Sequence, residues 1–133
     1  MIYCLDTNIC IYYLKGKYPA LRTKLLSFSP SAIKAPAIVR AELLHGAEKS
    51  TRRDENISRV LAFLLPFDTV PFDDQAAVYY SKIRATLEQA GTIIGPNDLL
   101  IAATVMACGA TLVTNNIKEF TRVENLTIED WTN

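Results

Sequence analysis

The sequence predicts an α/β domain with a central, mainly parallel sheet flanked by helices. Two observations carry that expectation. Short apolar runs with polar boundaries, such as Ile2-Tyr3-Cys4-Leu5 before Asp6 and Thr111-Leu112-Val113-Thr114, have the pattern of strands buried on both faces. Longer stretches between such runs place apolar residues at helical spacing, and strands alternating with helices lead to parallel pairing under helical cover.

The elements follow in order. Ile2 to Leu5 is the first strand, and Asp6 or Thr7 caps a helix from Asn8 to Leu14, stopped at Lys15-Gly16. Pro19 suits the first turn of a second helix running to about Phe28, which Ser29-Pro30-Ser31 breaks. Ala32 to Ala35 reads as a weak strand, and Pro36 starts a helix to about Lys49. Ser50 or Thr51 caps the next, Arg52 to Leu65, with Ile57, Val60, Leu61 and Leu64 on one face. Thr69 to Phe72 is a short strand. Asp73 or Asp74 caps a helix from Gln75 to Gln89, and Gly95-Pro96 opens another that ends near Gly109. Thr111 to Thr114 is the clearest strand; a short helix, Ile117 to Phe120, and a last strand, Leu126 to Ile128, complete the pattern. No linker, repeat or low-complexity segment divides the chain, so residues 1–133 read as one domain.

Half of the residues are apolar, which excludes a disordered chain. Lys plus Arg number 14 and Asp plus Glu number 14, so there is no global basic field, and a nucleic-acid ligand needs a local patch. Cys4, Cys10 and Cys108 form no metal-ligand spacing and read as reduced core thiols of a cytoplasmic protein. No apolar run approaches the roughly 20 residues of a membrane span, and no signal peptide is legible.

Four acids stand in contexts that waste them unless they work together. Asp6 ends an apolar strand, Glu42 interrupts the helix Ala37 to Ala47, Asp98 opens the most apolar helix of the chain, and Glu119 follows Thr114-Asn115-Asn116. An unpaired buried carboxylate is costly, and converging carboxylates repel unless a cation lies between them. Each acid also has an ordinary explanation: Asp6 as a helix cap, Glu42 at the edge of a buried stripe, Asp98 favoured by the helix dipole, Glu119 on the surface. Gly46, one turn beyond Glu42, leaves space beside that carboxylate. Thr7 and Asn8 can orient Asp6 or touch phosphate, and His45 sits at the rim.

Together the motifs Leu5-Asp6-Thr7-Asn8, Glu42-Leu43-Leu44-His45-Gly46-Ala47-Glu48-Lys49-Ser50, Ile94-Gly95-Pro96-Asn97-Asp98-Leu99-Leu100-Ile101-Ala102-Ala103 and Leu112-Val113-Thr114-Asn115-Asn116-Ile117-Lys118-Glu119-Phe120, closed by Ile128-Glu129-Asp130-Trp131, resemble those of the PIN-domain ribonucleases, specifically the VapC-type toxins of bacterial toxin–antitoxin pairs. The resemblance covers essentially the whole chain. It implies cleavage of RNA by phosphodiester hydrolysis, with Asp6, Glu42 and Asp98 as metal ligands for one or two Mg²⁺ or Mn²⁺ ions. Thr7, Asn8, Thr114 and Asn116 would orient ligands or meet phosphate. Many PIN domains have Asp where this chain has Asn116; Glu119 is the candidate for the missing charge.

The resemblance further implies a cognate antitoxin, a homodimer formed through helices, and a structured RNA target whose cleavage stops translation, a tRNA anticodon loop foremost. Ile9, Ile11, Leu14, Leu21, Leu25 and Leu26 can supply a dimer face or a core. RNA approaching a negative cluster calls for positive charge around it, and Lys49, Arg52, Arg53 and Lys118 are the main candidates, with Lys15, Lys17, Arg40 and Arg122 beside them. Tyr12, Tyr13 and Phe28 can stack bases or fill the core. A phosphotransferase of the haloacid dehalogenase type wants an acid where Asn8 stands, and a receiver domain wants paired acids after its first strand. A non-catalytic PIN module that binds RNA or a protein is the alternative.

Overall fold

Five strands make up the sheet of the computed structural model, which describes residues 1–133. They are β1 (Tyr3–Leu5), β2 (Ile33–Pro36), β3 (Asp68–Val70), β4 (Thr111–Val113) and β5 (Ile128–Glu129). Their lateral order is β3-β2-β1-β4-β5, and every pairing is parallel. Seven helices connect them: α1 (Thr7–Lys15), α2 (Pro19–Leu26), α3 (Ala37–Glu48), α4 (Arg53–Leu64), α5 (Asp74–Ala90), α6 (Pro96–Ala107) and α7 (Ile117–Phe120). From β1 the chain proceeds outward to β2 and β3, then crosses over to β4 and β5. The direction of winding reverses between β1 and β4, and in open parallel sheets a ligand crevice forms at that point, beyond the carboxyl ends of the strands.

The central strands are apolar because both faces are covered: every residue of β1 and β4 is buried. The edge strand β3 is largely exposed. Asp6 accepts the Ile9 N–H and so caps α1, which ends at Gly16 in the left-handed conformation. Asp73, not Asp74, caps α5. Pro96 occupies the first turn of α6, and Leu99 together with Ile101 to Val105 is buried.

Several boundaries differ from expectation. The weak strand lies at Ile33–Pro36 because a 3-10 turn, Pro30–Ala32, takes the residues before it. The third strand lies at Asp68–Val70 and the last at Ile128–Glu129, each set by pairing with its neighbour. Neither Ser50 nor Thr51 caps α4. The Ser50 hydroxyl donates to the Ala47 carbonyl and accepts from the Asn56 amide, which closes α3 instead. Cys4 and Cys10 are core thiols as expected, but Cys108 is exposed, because α6 has run out of buried face at its last turn.

Ile9, Leu21 and Leu25 are buried in the chain's own core, which removes them from any dimer face; Ile11 and Leu14 are half-buried and Leu26 is exposed. Phe28 stacks on Trp131 at 5.3 Å and meets Tyr3 at 4.8 Å, while Tyr12 packs on Tyr18 and Tyr13 on Phe63, so these rings serve packing. No helix is long and apolar enough to cross a membrane.

Candidate functional site

Asp6 follows β1, Thr114 follows β4 and Asp130 follows β5, so three strand ends deliver polar side chains to the same edge of the sheet. Glu42 comes from the middle of α3, Asp98 from the first turn of α6 and Glu119 from α7.

Asp6 is 4% exposed, and its Oδ1 accepts the Ile9 N–H at 2.9 Å. Burial pushes its carboxyl up to about 6, and the charges of Glu42 and Asp130 add to the rise. The Thr114 hydroxyl and the Ile9 amide oppose it. Capping and site membership therefore coexist in one residue.

Glu42 lies beside the buried stripe Val39, Leu43 and Ala47 and is half-buried. Its two oxygens are held separately. The Thr7 hydroxyl donates to Oε1 at 2.5 Å, and the Asn97 amide donates to Oε2 at 3.1 Å. Each donor is the chain neighbour of another acid, Asp6 or Asp98, so the three carboxylates are mechanically linked. Gly46 lines an open groove of about 330 Å³ with Ile11, Leu14, Leu43, Ala47 and Val60, so the space it leaves belongs to the groove between α1, α3 and α4.

Asp98 and Glu119 form a pair. Burial, then the Glu119 charge and the hydrogen bond between them, push the Asp98 carboxyl up to about 7; Asp6 and Glu42 add to the shift. Burial also opposes the Glu119 charge, but the Gly95 N–H, the Asn116 amide, Asp98 and the Arg122 charge outweigh it, and Glu119 is held below the usual range. The pair thus strengthens the hold of Asp98 on its proton while Glu119 favours its charge. Glu119 Oε1 accepts the Gly95 N–H at 2.6 Å and Oε2 accepts from Asn116 Nδ2 at 2.7 Å. The Thr114 hydroxyl accepts the Asn116 N–H at 2.9 Å.

Asp6, Glu42, Asp98 and Glu119 are thus within electrostatic reach of one another, with Thr7, Thr114 and Asn116 bonded to them. Asn8 is exposed. Lys49, Arg52 and Arg53 lie at the α3–α4 turn; Lys49 is seven residues beyond Glu42, or about 10 Å along the helix. Arg52 pairs with Glu55, and Arg53 with Glu48 and Asp54. Lys118 is exposed next to Glu119, and His45 is exposed on α3.

Asn97 and Asp130 have no role predicted from the sequence, and Arg122 is expected there only as positive charge facing RNA. Asn97 sits inside the Gly-Pro-Asn-Asp motif, yet nothing in the sequence says that it reaches α3. Asp130 acts on Asp6 although 124 positions separate their numbers in the chain. Arg122 reaches back to the Ile93 carbonyl at 3.0 Å.

The donors are all oxygens, and the two raised carboxyls report burial first and neighbouring like charges second. Both facts fit a hard divalent cation. The side chains stand apart for that purpose: Glu42 is drawn to Thr7 and Asn97, Glu119 to Gly95 and Asn116, and no three His, Cys, Asp or Glu side chains are grouped to hold an ion.

A strand-end acid at the winding reversal, joined by acids from two flanking helices, is the arrangement of a PIN domain, and the PIN-domain family model matches residues 3–126. The chain belongs to the PIN-domain family, and within it to the VapC-type group. It is 45% identical over 132 residues to Ribonuclease VapC2 of Rickettsia felis, covering 98% of each chain. It is 37% identical over 129 residues to the tRNA(fMet)-specific endonuclease VapC of Salmonella typhimurium, covering 97% of each. The structure of VapBC2 from Rickettsia felis bound to a DNA fragment of its promoter superposes with a TM-score of 0.92 at 43% identity, covering 98% of this chain and 99% of that one.

Proposed function

We propose that this protein is a metal-dependent endoribonuclease toxin that cleaves structured RNA, a tRNA anticodon loop foremost, and thereby inhibits translation until a cognate antitoxin neutralises it. The observation that carries the reading is that Asp6, Glu42 and Asp98 lie within reach of one another's charge, two of them with carboxyls raised to about 6 and about 7. The similarity to proteins named as ribonucleases and as a tRNA(fMet)-specific endonuclease, and to toxins solved as VapBC complexes, supports the substrate class and the partner.

Asp6, Glu42 and Asp98 would hold one or two Mg²⁺ or Mn²⁺ ions. Such ions supply charge neutralisation at the phosphoryl oxygens and lower the pKa of water. The chain's own contribution is placement. Thr7 and Asn97 fix the plane of the Glu42 carboxylate, and Thr114 and the Ile9 amide fix that of Asp6. Asp98 would have to lose its proton to take part; the Glu119 charge beside it holds that proton in place, and a bound cation would oppose it. Asn116 brings no charge to the site and its amide is bonded to Glu119, whose carboxylate would supply the charge in its place. A homodimer and a cytoplasmic location complete the proposal.

Purified protein freed of any antitoxin would be incubated with total RNA in Mg²⁺ or Mn²⁺ and in EDTA, and new 5′ ends would be sequenced. Metal-dependent ends at one loop are expected. Folded, cation-loaded protein that cuts nothing would overturn the enzyme and leave a non-catalytic binding module in its place.

A further inference from the structure

Five residues, Gly91 to Gly95, connect α5 to α6 without regular structure and lead directly into the turn that carries Asp98. Two side chains from one short segment grip this connection. The Arg122 guanidinium donates through Nη1 to the Ile93 carbonyl at 3.0 Å, and Glu119 Oε1 accepts the Gly95 N–H at 2.6 Å. A base thus holds a carbonyl and an acid holds an amide two residues further on. Between them the Ile94 side chain is buried, whereas Ile93 is 63% exposed and contributes little anchorage of its own.

The gripping segment is itself fixed. Phe120 is fully buried and Val123 is 3% exposed, and the Arg122 N–H bonds to the Glu119 carbonyl at 3.2 Å. Glu119 and Arg122 are three residues apart, so one turn presents both to the connection. Gly95 is where the grip matters. A Cβ there would lie 3.4 Å from Asp98 Oδ2 and 3.7 Å from Glu119 Oε1, so both carboxylates stand close to the face of Gly95 that carries no side chain. The Gly95 carbonyl accepts the Leu99 N–H at 3.0 Å and starts α6. A displacement of Gly95 is therefore passed to Asp98 with little slack.

We propose that Arg122 is a positioning residue for RNA cleavage: with Glu119 it clamps the Ile93–Gly95 connection and so sets where the Asp98 carboxylate stands. The proposal rests on the reading of Asp98 as a residue of the cleavage site. Arg122 holds backbone and also places its charge near Glu119; its loss misplaces a reacting group without removing one, and misplacement lowers turnover more than binding.

The test uses the full chain carrying Arg122→Met, which keeps length and loses the donors, and Arg122→Lys, which keeps a charged donor group. Amide hydrogen exchange at Gly95 is followed by NMR, with the Ile101 to Val105 amides as the folding control, alongside kcat and KM on tRNA with Mg²⁺. Arg122→Met is expected to speed Gly95 exchange about tenfold with the control amides unchanged. It should lower kcat by about ten- to a hundredfold with KM within about twofold, and Arg122→Lys should recover part of both. Unchanged Gly95 exchange overturns the clamp. A raised KM with intact kcat overturns it too and makes Arg122 an RNA contact. Wild-type protein that cleaves nothing overturns the nuclease, and Arg122's part in cleavage with it. In that case faster Gly95 exchange in Arg122→Met would still support the clamp itself.

Discussion

The Thr7 hydroxyl and the Glu42 carboxylate, 35 positions apart in the chain, meet at 2.5 Å. With Asn97 on the other oxygen, Glu42 is held from both sides by residues whose neighbours are Asp6 and Asp98. Hydrogen bonds of this kind fix a ligand's orientation and are worth about ten- to a hundredfold in affinity or activity at metal sites. Asn97→Ala is therefore expected to weaken Mn²⁺ binding by about that factor in calorimetry, and to lower cleavage in step. Equal affinities in the variant and the wild type would show that Glu42 needs no such support.

Asp98→Asn separates chemistry from stability. An amide at this position can still donate to Glu119, but it removes the charge that Glu119, Asp6 and Glu42 oppose. Cleavage should fall by more than about a hundredfold. Without divalent cation at pH 8 the variant should melt several degrees higher, reflecting on the order of 1 kcal/mol. Full activity in the folded variant would remove Asp98 from the site; a lower melting temperature would contradict the repulsion argument.

Cation affinity should depend on pH with a definite sign. The Asp6 and Asp98 carboxyls are raised from 3.8 to about 6 and about 7, so below those values a cation must displace protons. Affinity should rise from pH 5 to 7, roughly tenfold per pH unit where one proton is released, and level off above. The stability of the cation-free protein should run the other way. Between 3.8 and about 7 the folded state binds more protons than the unfolded state, so stability falls as pH rises through that window. Calorimetric titrations in two buffers of different ionisation enthalpy would count the protons, and no release at pH 6 would contradict the shifts.

RNA affinity should respond unequally to the basic residues. Arg53 already faces Glu48 and Asp54, whereas Lys118 is exposed beside Glu119. With Asp98→Asn protein as a non-cutting background, Lys118→Gln should reduce the slope of log affinity against log salt by about one, and Arg53→Gln should reduce it by less. The reverse order would move the RNA path to the α3–α4 turn.

The sequence alone determined the alternation of strands and helices, because periodic burial is a local property: an apolar run that ends in Asp6 can be read without any partner. It also displayed the four acids, since each breaks an apolar pattern. Strand limits depended on pairing, which is why β2 and β3 lie one residue away from their sequence-based starts. Which basic residues are already paired, that Gly46 faces a groove, and that Asn97, Asp130 and Arg122 reach the site were decided by the tertiary structure. Contacts such as Thr7 to Glu42 and Arg122 to Ile93 join side chains from different elements, and no spacing along the chain records how those elements pack.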